Sequence, residues 1–284
     1  MGGSVWYALL LSLVAGLSTG IGSLLAIFVR RPGPRFMTIT LGFSCGVMVL
    51  ISFQELLHEG MNAVGFVPAY AAFFGGMVLM LLIDMFIPHE FMAEHREDQM
   101  LGVEPTLECP MRGRGRGWGA RRGRGRGGQV CDSRLYRLGL CTAIGVIIHN
   151  FPEGMASFAG ALQDTGVGIA IAVAIALHNI PEGLAVSAPV LAATGSRWQA
   201  LRWGLLCGMA EPAGAALAAL VLFRFLSPTV LGYLLSVVAG IMVFIALDEL
   251  LPAAHEYRME HLGVIGVMAG MAVMALSLYL LSAQ

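Results

Sequence analysis

The chain has 284 residues and a net charge of −1 at pH 7, with 57% hydrophobic and 12% charged residues. Soluble domains typically carry about 25% charged residues, so this composition excludes an ordinary soluble globular protein and indicates a membrane protein. The five cysteines are an odd number, which argues against a disulfide framework.

Eight apolar stretches follow one another along the chain. A membrane-spanning helix needs about 20 mostly apolar residues. The stretches that qualify are 5–29, 36–57, 67–88, 136–160, 166–191, 199–222, 229–250 and 262–281. The first lacks the charged start and cleavage site of a signal peptide, so we expect it to be retained. We predict an all-α polytopic membrane protein with eight transmembrane helices in a single domain over residues 1–284.

The segment between the third and fourth stretches is polar. Its centre, residues 111–128, reads MRGRGRGWGARRGRGRGG. Glycine disfavours a helix and the arginines repel each other, so we predict a largely disordered Arg/Gly-rich loop over residues 90–135. The loop has three interpretations: a solvated linker, a contact with anionic lipid headgroups, or an RNA-binding segment. We favour the linker and expect no nucleic-acid partner.

The arginines predict the orientation of the chain. All seventeen basic residues are arginine. With the N-terminus outside, sixteen of them lie on inside loops and only Arg224 lies outside. Cytoplasmic loops of membrane proteins carry an excess of basic residues. We therefore predict a multi-pass protein of the cell inner (plasma) membrane, with both termini extracytoplasmic and the loop over 90–135 cytoplasmic.

Predicted helices four and five carry the same polar motif. Residues 149–154 read His-Asn-Phe-Pro-Glu-Gly and residues 178–183 read His-Asn-Ile-Pro-Glu-Gly, identical at five of six positions. In each motif the histidine and glutamate are four residues apart and share a helix face. Each proline removes a backbone hydrogen bond, which a transmembrane helix tolerates where it lines a cavity.

These motifs place ionisable side chains deep in the predicted bilayer, where such groups are costly and normally line a substrate path. Together with one acidic residue of helix six, the candidate ligands are His149, Asn150, Glu153, His178, Asn179, Glu182 and Glu211. Mixed imidazole and carboxylate ligands suit zinc, iron, manganese and cobalt better than Cu(I). We interpret the set as a metal site. The alternative is that a His-Asn pair merely hydrogen-bonds between two helices.

A second repeat relates helices two and seven. Seven residues of helix two align without gaps with helix seven: Gly46, Met48, Val49, Ile51, Glu55, Leu56 and Leu57 with Gly240, Met242, Val243, Ile245, Glu249, Leu250 and Leu251. The two helices must cross the membrane in opposite directions, so the match indicates an inverted repeat of helices 1–3 and 6–8, as in many secondary transporters. Chance similarity between apolar helices is the alternative.

The doubled His-Asn-x-Pro-Glu-Gly motif resembles the signature of the ZIP family of divalent-metal transporters. The resemblance extends to residues 41–55, 193–196, 208–211 and 248–252. It implies eight helices in a 3+2+3 arrangement and a binuclear centre at mid-membrane. It also implies uptake of Zn²⁺ as a transported substrate rather than a cofactor, with Fe²⁺, Mn²⁺, Co²⁺ and Cd²⁺ as further substrates, and a homodimer.

The resemblance also implies roles for individual residues. One metal position is formed by His149, Glu153 and Glu182, with His178 and Met48 beside them. The other is formed by Asn150, Asn179 and Glu211, with Glu153 and Glu182 bridging both positions. Some family members carry Asp where Asn179 stands, so the second position here is less negative.

Other polar residues are candidates for an entrance or an exit. Glu55 and Glu249 are equivalent in the second repeat, and His89, Glu90 and His95 follow helix three. The alternative is that both groups are ordinary polar helix ends. For the whole chain, the alternatives to metal uptake are a metal exporter or exchanger, and an intramembrane metalloenzyme. We expect no enzyme, because the chain has no His-Glu-x-x-His and no nucleophile pair that we can place.

Overall fold

The computed structural model describes residues 4–29, 32–86, 133–163, 165–222 and 227–282, and within these ranges all regular structure is helical. The long helices are α1 Val5–Phe28, α2 Pro34–Val64, α3 Phe66–Phe86, α4 Ser133–Gln163, α5 Thr165–Thr194, α6 Arg197–Leu217, α7 Pro228–His255 and α8 Glu260–Ser282. The Arg/Gly-rich loop and the candidates His89, Glu90 and His95 lie outside the described residues.

Local sequence explains where several helices begin and end. Ser4 and Ser227 cap α1 and α7, each accepting a hydrogen bond from the backbone N–H three residues later. Pro34 and Pro228 occupy the first turns of α2 and α7, where a missing N–H costs nothing. Gly195 has a positive φ of 62°, which ends α5 and lets α6 start immediately afterwards.

Seven of these helices are long and apolar enough to cross a membrane, which confirms a helical multi-pass membrane protein. Among the described helices, the one without a qualifying span is α4. The count of eight spans therefore stays a prediction. The windows of α3 and α8 are only 22% buried despite hydropathies of 2.1 and 2.0, as expected of helices that face lipid.

The helices pack in two groups. In the first, α1, α4, α5 and α6 contact one another; in the second, α2 packs on α8 and α3 packs on α7. The main apolar core lies between α2 and α7, around Met48, Ile51, Met242 and Ile245, all at most 2% exposed. The groups meet where α2 contacts α5 and α4 contacts α7.

Two contacts in the second group use equivalent residues. The backbones approach so closely that a Cβ added to Gly46 would overlap the carbonyl oxygen of Val267, and one added to Gly240 would overlap that of Phe73. The two contacts are related by one sequence offset: Gly240 follows Gly46 by the same number of residues as Val267 follows Phe73. Each depends on glycine, which lets two helix backbones touch.

Both α2 and α7 contain a π-helical turn, at Ser52–Leu56 and Ala246–Leu250. The second turn follows the first by the same number of residues as Gly240 follows Gly46. A π turn inserts an extra residue into a helix and is frequent at functional sites. The predicted stretch 36–57 ended too early, because α2 continues past its π turn and its polar residues to Val64.

Candidate metal centre

The polar residues of the two motifs lie inside the first group of helices. Seven side chains are at most 2% exposed: His149, Asn150, Glu153, His178, Asn179, Glu182 and Glu211. Helices α4 and α5 continue through Pro152 and Pro181 and supply the first six, and α6 supplies the seventh. Glutamates and histidines are rarely buried this completely unless they are paired or bind a cation.

The histidines and glutamates pair crosswise between α4 and α5. Nε2 of His149 lies 3.1 Å from Oε1 of Glu182, and Nε2 of His178 lies 3.5 Å from Oε2 of Glu153. Two ligands of one tetrahedral zinc ion lie about 3.3–3.5 Å apart, since each bond is about 2.0–2.2 Å long. The pairs are therefore spaced either for a shared proton or for a shared metal ion.

The second ring nitrogen of His178 lies 3.0 Å from the carbonyl oxygen of Ala174. A carbonyl only accepts, so this nitrogen carries the hydrogen and donates it. In the neutral imidazole the lone pair is then on Nε2, which faces Glu153. A backbone carbonyl that fixes the tautomer in this way is common behind metal-binding histidines.

The two carboxamides tie the motif helices to α1 and α6. Nδ2 of Asn150 donates to the carbonyl oxygen of Cys207 on α6 at 3.4 Å. Nδ2 of Asn179 donates to the carbonyl oxygen of Ala15 on α1 at 3.1 Å and to Oε2 of Glu211 at 2.9 Å. Each asparagine thereby presents its amide nitrogen to the protein and leaves its oxygen for another partner.

Several buried polar atoms of these residues have no hydrogen-bond partner among the described residues. They are Nδ1 of His149, Oδ1 of Asn150, Oε1 of Glu153, Oδ1 of Asn179, Oε2 of Glu182 and Oε1 of Glu211. Leaving such an atom unsatisfied costs about 1–3 kcal/mol, and more when it is charged. Five of the six are oxygens, whose lone pairs can coordinate a cation.

The structure brings the predicted residues together as pairs. Within the described ranges, no three His, Cys, Asp or Glu side chains form a group that could already hold a metal ion. Met48 is fully buried and belongs to the apolar core around α2 and α7, and its role as a ligand stays a prediction. Among the described residues, a side-chain rearrangement is therefore needed before three of these side chains contact one ion.

The candidates Glu55 and Glu249 occupy the π turns of α2 and α7 and are partly buried. They lie inside helices that continue to Val64 and His255, so their interpretation as helix-end residues is wrong for the structure. Oε2 of Glu55 is buried and has no hydrogen-bond partner among the described residues. Whether these residues form an entrance or an exit stays a prediction.

Sequence reasoning missed two hydroxyl residues close to the motifs. Ser44 of α2 donates a hydrogen bond of 2.7 Å to the carbonyl oxygen of Pro181, which links the two groups of helices. Thr19 of α1 is fully buried, and its hydroxyl oxygen has no hydrogen-bond partner in the described part of the chain. Single hydroxyl residues are common in apolar helices, so neither has a sequence signal of its own.

The fold and this site define a class: a helical multi-pass membrane protein with a buried polar centre built on two proline-containing helices. The family described as "ZIP Zinc transporter" matches residues 87–278. The chain belongs to this family. The resemblance inferred from the motifs is thus confirmed, and so is the expectation that the chain is not an enzyme, because the family is one of transporters.

Individual relatives match over nearly their full length. The "Zinc transporter ZupT" of Chlorobium luteolum is 46% identical over 283 residues, covering 97% of this chain and 98% of that protein. The protein of the same name in Lysinibacillus sphaericus is 44% identical, covering 99% and 100%. That of Campylobacter jejuni is 43% identical, covering 98% and 97%.

Proposed function

We propose that this protein takes up zinc across the cytoplasmic membrane through the buried centre formed by α4, α5 and α6. The observation that carries the proposal is the crossed pairing of His149 with Glu182 and of His178 with Glu153 inside a membrane helix bundle. Relatives that match this chain from end to end are named zinc transporters, which supports zinc as the substrate. The enzyme alternative has no such support.

The proposed binding step replaces the crossed pairs by bonds to the ion. The carboxylates of Glu153 and Glu182 neutralise the divalent charge, which the low dielectric of the bilayer would otherwise reject. The imidazoles of His149 and His178 supply nitrogen ligands through Nε2. Since the donor atoms of each pair already lie 3.1–3.5 Å apart, small side-chain rotations suffice to admit an ion between them.

A second ion position is proposed beside the first, formed by Asn150, Asn179 and Glu211 with the remaining oxygens of Glu153 and Glu182. The carboxamide oxygens of both asparagines and Oε1 of Glu211 are buried without hydrogen-bond partners in the described residues. Those oxygens support a position that binds cations. Oxygen and nitrogen donors of this kind also suit Fe²⁺, Mn²⁺, Co²⁺ and Cd²⁺, which we propose as further substrates.

We propose eight membrane spans in a 3+2+3 order, with α1–α3 and α6–α8 as inverted repeats. The equivalent π turns of α2 and α7 support the repeat, as do the equivalent contacts of Gly46 with α8 and of Gly240 with α3. An inverted repeat gives a transporter two similar conformations that open to opposite sides of the membrane. The location in the inner membrane, the outward-facing termini and the homodimer stay predictions.

The test is zinc flux into sealed vesicles that contain the purified protein alone. Glu153→Gln and Glu182→Gln keep the side-chain volume and remove one charge each, so we expect each to lower the initial zinc uptake rate by about 100-fold. The matched control is Glu59→Gln, an exposed glutamate of α2 outside the centre, which should transport at the unmodified rate.

All variants must first elute as monodisperse protein with unchanged helical content. Well-folded Glu153→Gln and Glu182→Gln proteins that transport zinc normally would show that the centre is elsewhere. Vesicles preloaded with zinc test direction: faster efflux than influx through the same protein would favour an exporter or exchanger.

A further inference from the structure

The first group of helices repeats one packing arrangement around the centre. On one side, α1 packs on α5: a Cβ added to Gly183 would overlap the carbonyl oxygen of Thr19. On the other side, α6 packs on α4: a Cβ added to Gly154 would overlap the carbonyl oxygen of Glu211. Gly154 and Gly183 hold the same position in the two motifs, so Thr19 of α1 is the counterpart of Glu211 of α6.

The carboxamide contacts give the same correspondence independently. Asn179 donates to the carbonyl oxygen of Ala15, four residues before Thr19, and Asn150 donates to that of Cys207, four residues before Glu211. Asn179 also donates to the side chain of Glu211. The counterpart of that last pair is Asn150 with Thr19.

Thr19 and Glu211 flank the point where α1 crosses α6. A Cβ added to Gly16 would lie 3.3 Å from Cβ of Glu211, and one added to Gly208 would lie 3.2 Å from Cβ of Thr19. The helices are antiparallel, since Gly20 faces Leu205 on one side of the crossing and Gly16 faces Gly208 at it. Thr19 and Glu211 therefore lie on opposite sides of the crossing, separated along the membrane normal.

Both positions present unsatisfied oxygens to the interior. The hydroxyl of Thr19 and Oδ1 of Asn150 are fully buried without a hydrogen-bond partner among the described residues, as are Oε1 of Glu211 and Oδ1 of Asn179. A buried polar atom normally has a partner in the protein, a water or an ion. One pair of oxygens is neutral and the other includes a carboxylate.

We propose that Thr19, together with Asn150, forms a neutral cation half-site at the edge of the second ion position, which shares Asn150 with it. This half-site is the counterpart of the acidic half-site of Asn179 and Glu211. It binds a divalent metal ion, with its remaining water ligands, through two uncharged oxygens. Neutral oxygens hold a divalent ion less tightly than a carboxylate does. An ion captured beside Glu211 is therefore released more easily beside Thr19. In the predicted orientation, Thr19 lies on the side of the α1–α6 crossing that is nearer the cytoplasm. This proposal rests on the proposed transport function.

The test compares three substitutions of Thr19 in the full-length protein. Thr19→Val keeps the shape and removes the oxygen, so we expect it to weaken zinc binding at this half-site and raise the KM of uptake by about tenfold. Thr19→Ser keeps the oxygen and should retain the unmodified KM. Thr19→Asp makes the half-site acidic, so it should bind zinc more tightly and release it more slowly, with a lower maximal rate.

The matched control is Ser18→Ala, because the hydroxyl of Ser18, also buried in α1, already donates to the carbonyl oxygen of Ala15. It should leave unchanged both the KM of zinc uptake and the zinc affinity measured by titrating the purified protein. If the hydroxyl of Thr19 is only structural, Thr19→Val will lower the thermal stability but leave the affinity for zinc, measured by titrating the purified protein, unchanged. That outcome would overturn the half-site. If the unmodified protein transports no zinc into the vesicles, the proposed transport function itself is overturned.

Discussion

Glu211 differs from the two motif glutamates in its surroundings. One of its oxygens accepts a hydrogen bond from Asn179, while Glu153 and Glu182 each face a histidine. Glu211 is assigned to only one of the two proposed ion positions, whereas Glu153 and Glu182 are assigned to both. Its role should therefore be auxiliary.

Glu211→Gln should reduce the zinc uptake rate by about tenfold, well short of the loss expected for Glu153→Gln, because one neutral oxygen still remains for the second position. The measurement is initial uptake at saturating and at limiting zinc concentrations. Asn179→Asp provides the reverse test: two carboxylates would face each other in place of the 2.9 Å hydrogen bond, and only a cation between them relieves the repulsion. An unchanged number of bound zinc ions in Asn179→Asp would contradict a second position there.

The sequence predicted which residues lie together in the buried centre, but not how they pair. The histidine and glutamate of each motif share a helix face, which suggests that they bind together within one helix. In the structure each histidine instead contacts the glutamate of the other motif. The rotation of α4 against α5 decides this, and it depends on packing against α1 and α6, which a single helix sequence does not encode.

At the scale of the helices, glycine contacts define both groups. The neighbouring residues Gly75 and Gly76 of α3 show how local this requirement is. A Cβ added to Gly76 would overlap the carbonyl oxygen of Val237 on α7, whereas one added to Gly75 would meet nothing within 4 Å. Both positions hold glycine within the same helix, so the same substitution changes the helix propensity equally at each. Any difference between the two variants therefore reports packing.

Gly76→Ala should destabilise the protein by about 1–3 kcal/mol, because α3 and α7 must move apart to admit the methyl group. Gly75→Ala should be neutral or stabilising by up to about 1 kcal/mol, since alanine loses less conformational entropy in a helix. Thermal unfolding of both variants in the same detergent measures the difference. Equal melting temperatures would mean that α3 and α7 do not pack at this contact.

The π turns show where prediction at the helix scale fails. Glu55 and Glu249 interrupt apolar sequences, so a hydropathy pattern places helix ends near them. The structure continues both helices by inserting a π turn at each acid. A π turn depends on tertiary contacts rather than on a residue pattern, so only the equivalence of the two positions could be read from the sequence.

At the scale of the molecule, the arginines predict one orientation in the membrane. With the N-terminus outside, Cys109 and Cys131 lie in the predicted cytoplasmic loop. Neither should react with a membrane-impermeant thiol reagent in intact cells, and both should react after permeabilisation. The other three cysteines, Cys45, Cys141 and Cys207, are buried and should stay unlabelled in both conditions. Labelling of intact cells would reverse the orientation.

Hydropathy thus predicted the class of fold, because it is summed over many residues and tolerates local exceptions. Among the described helices, α4 is the one without a qualifying span, although α5 carries the same motif and qualifies. The motif alone therefore does not decide whether hydropathy identifies a helix as a membrane span.

The seven side chains of the proposed centre are at most 2% exposed, so among the described residues we find no open route that leads an ion to them. Each ion must wait for the helices to open and close again, motions that take on the order of microseconds to milliseconds or longer. Flux through the protein should consequently saturate with zinc concentration, slow steeply on cooling, and produce no unitary electrical currents in a planar bilayer.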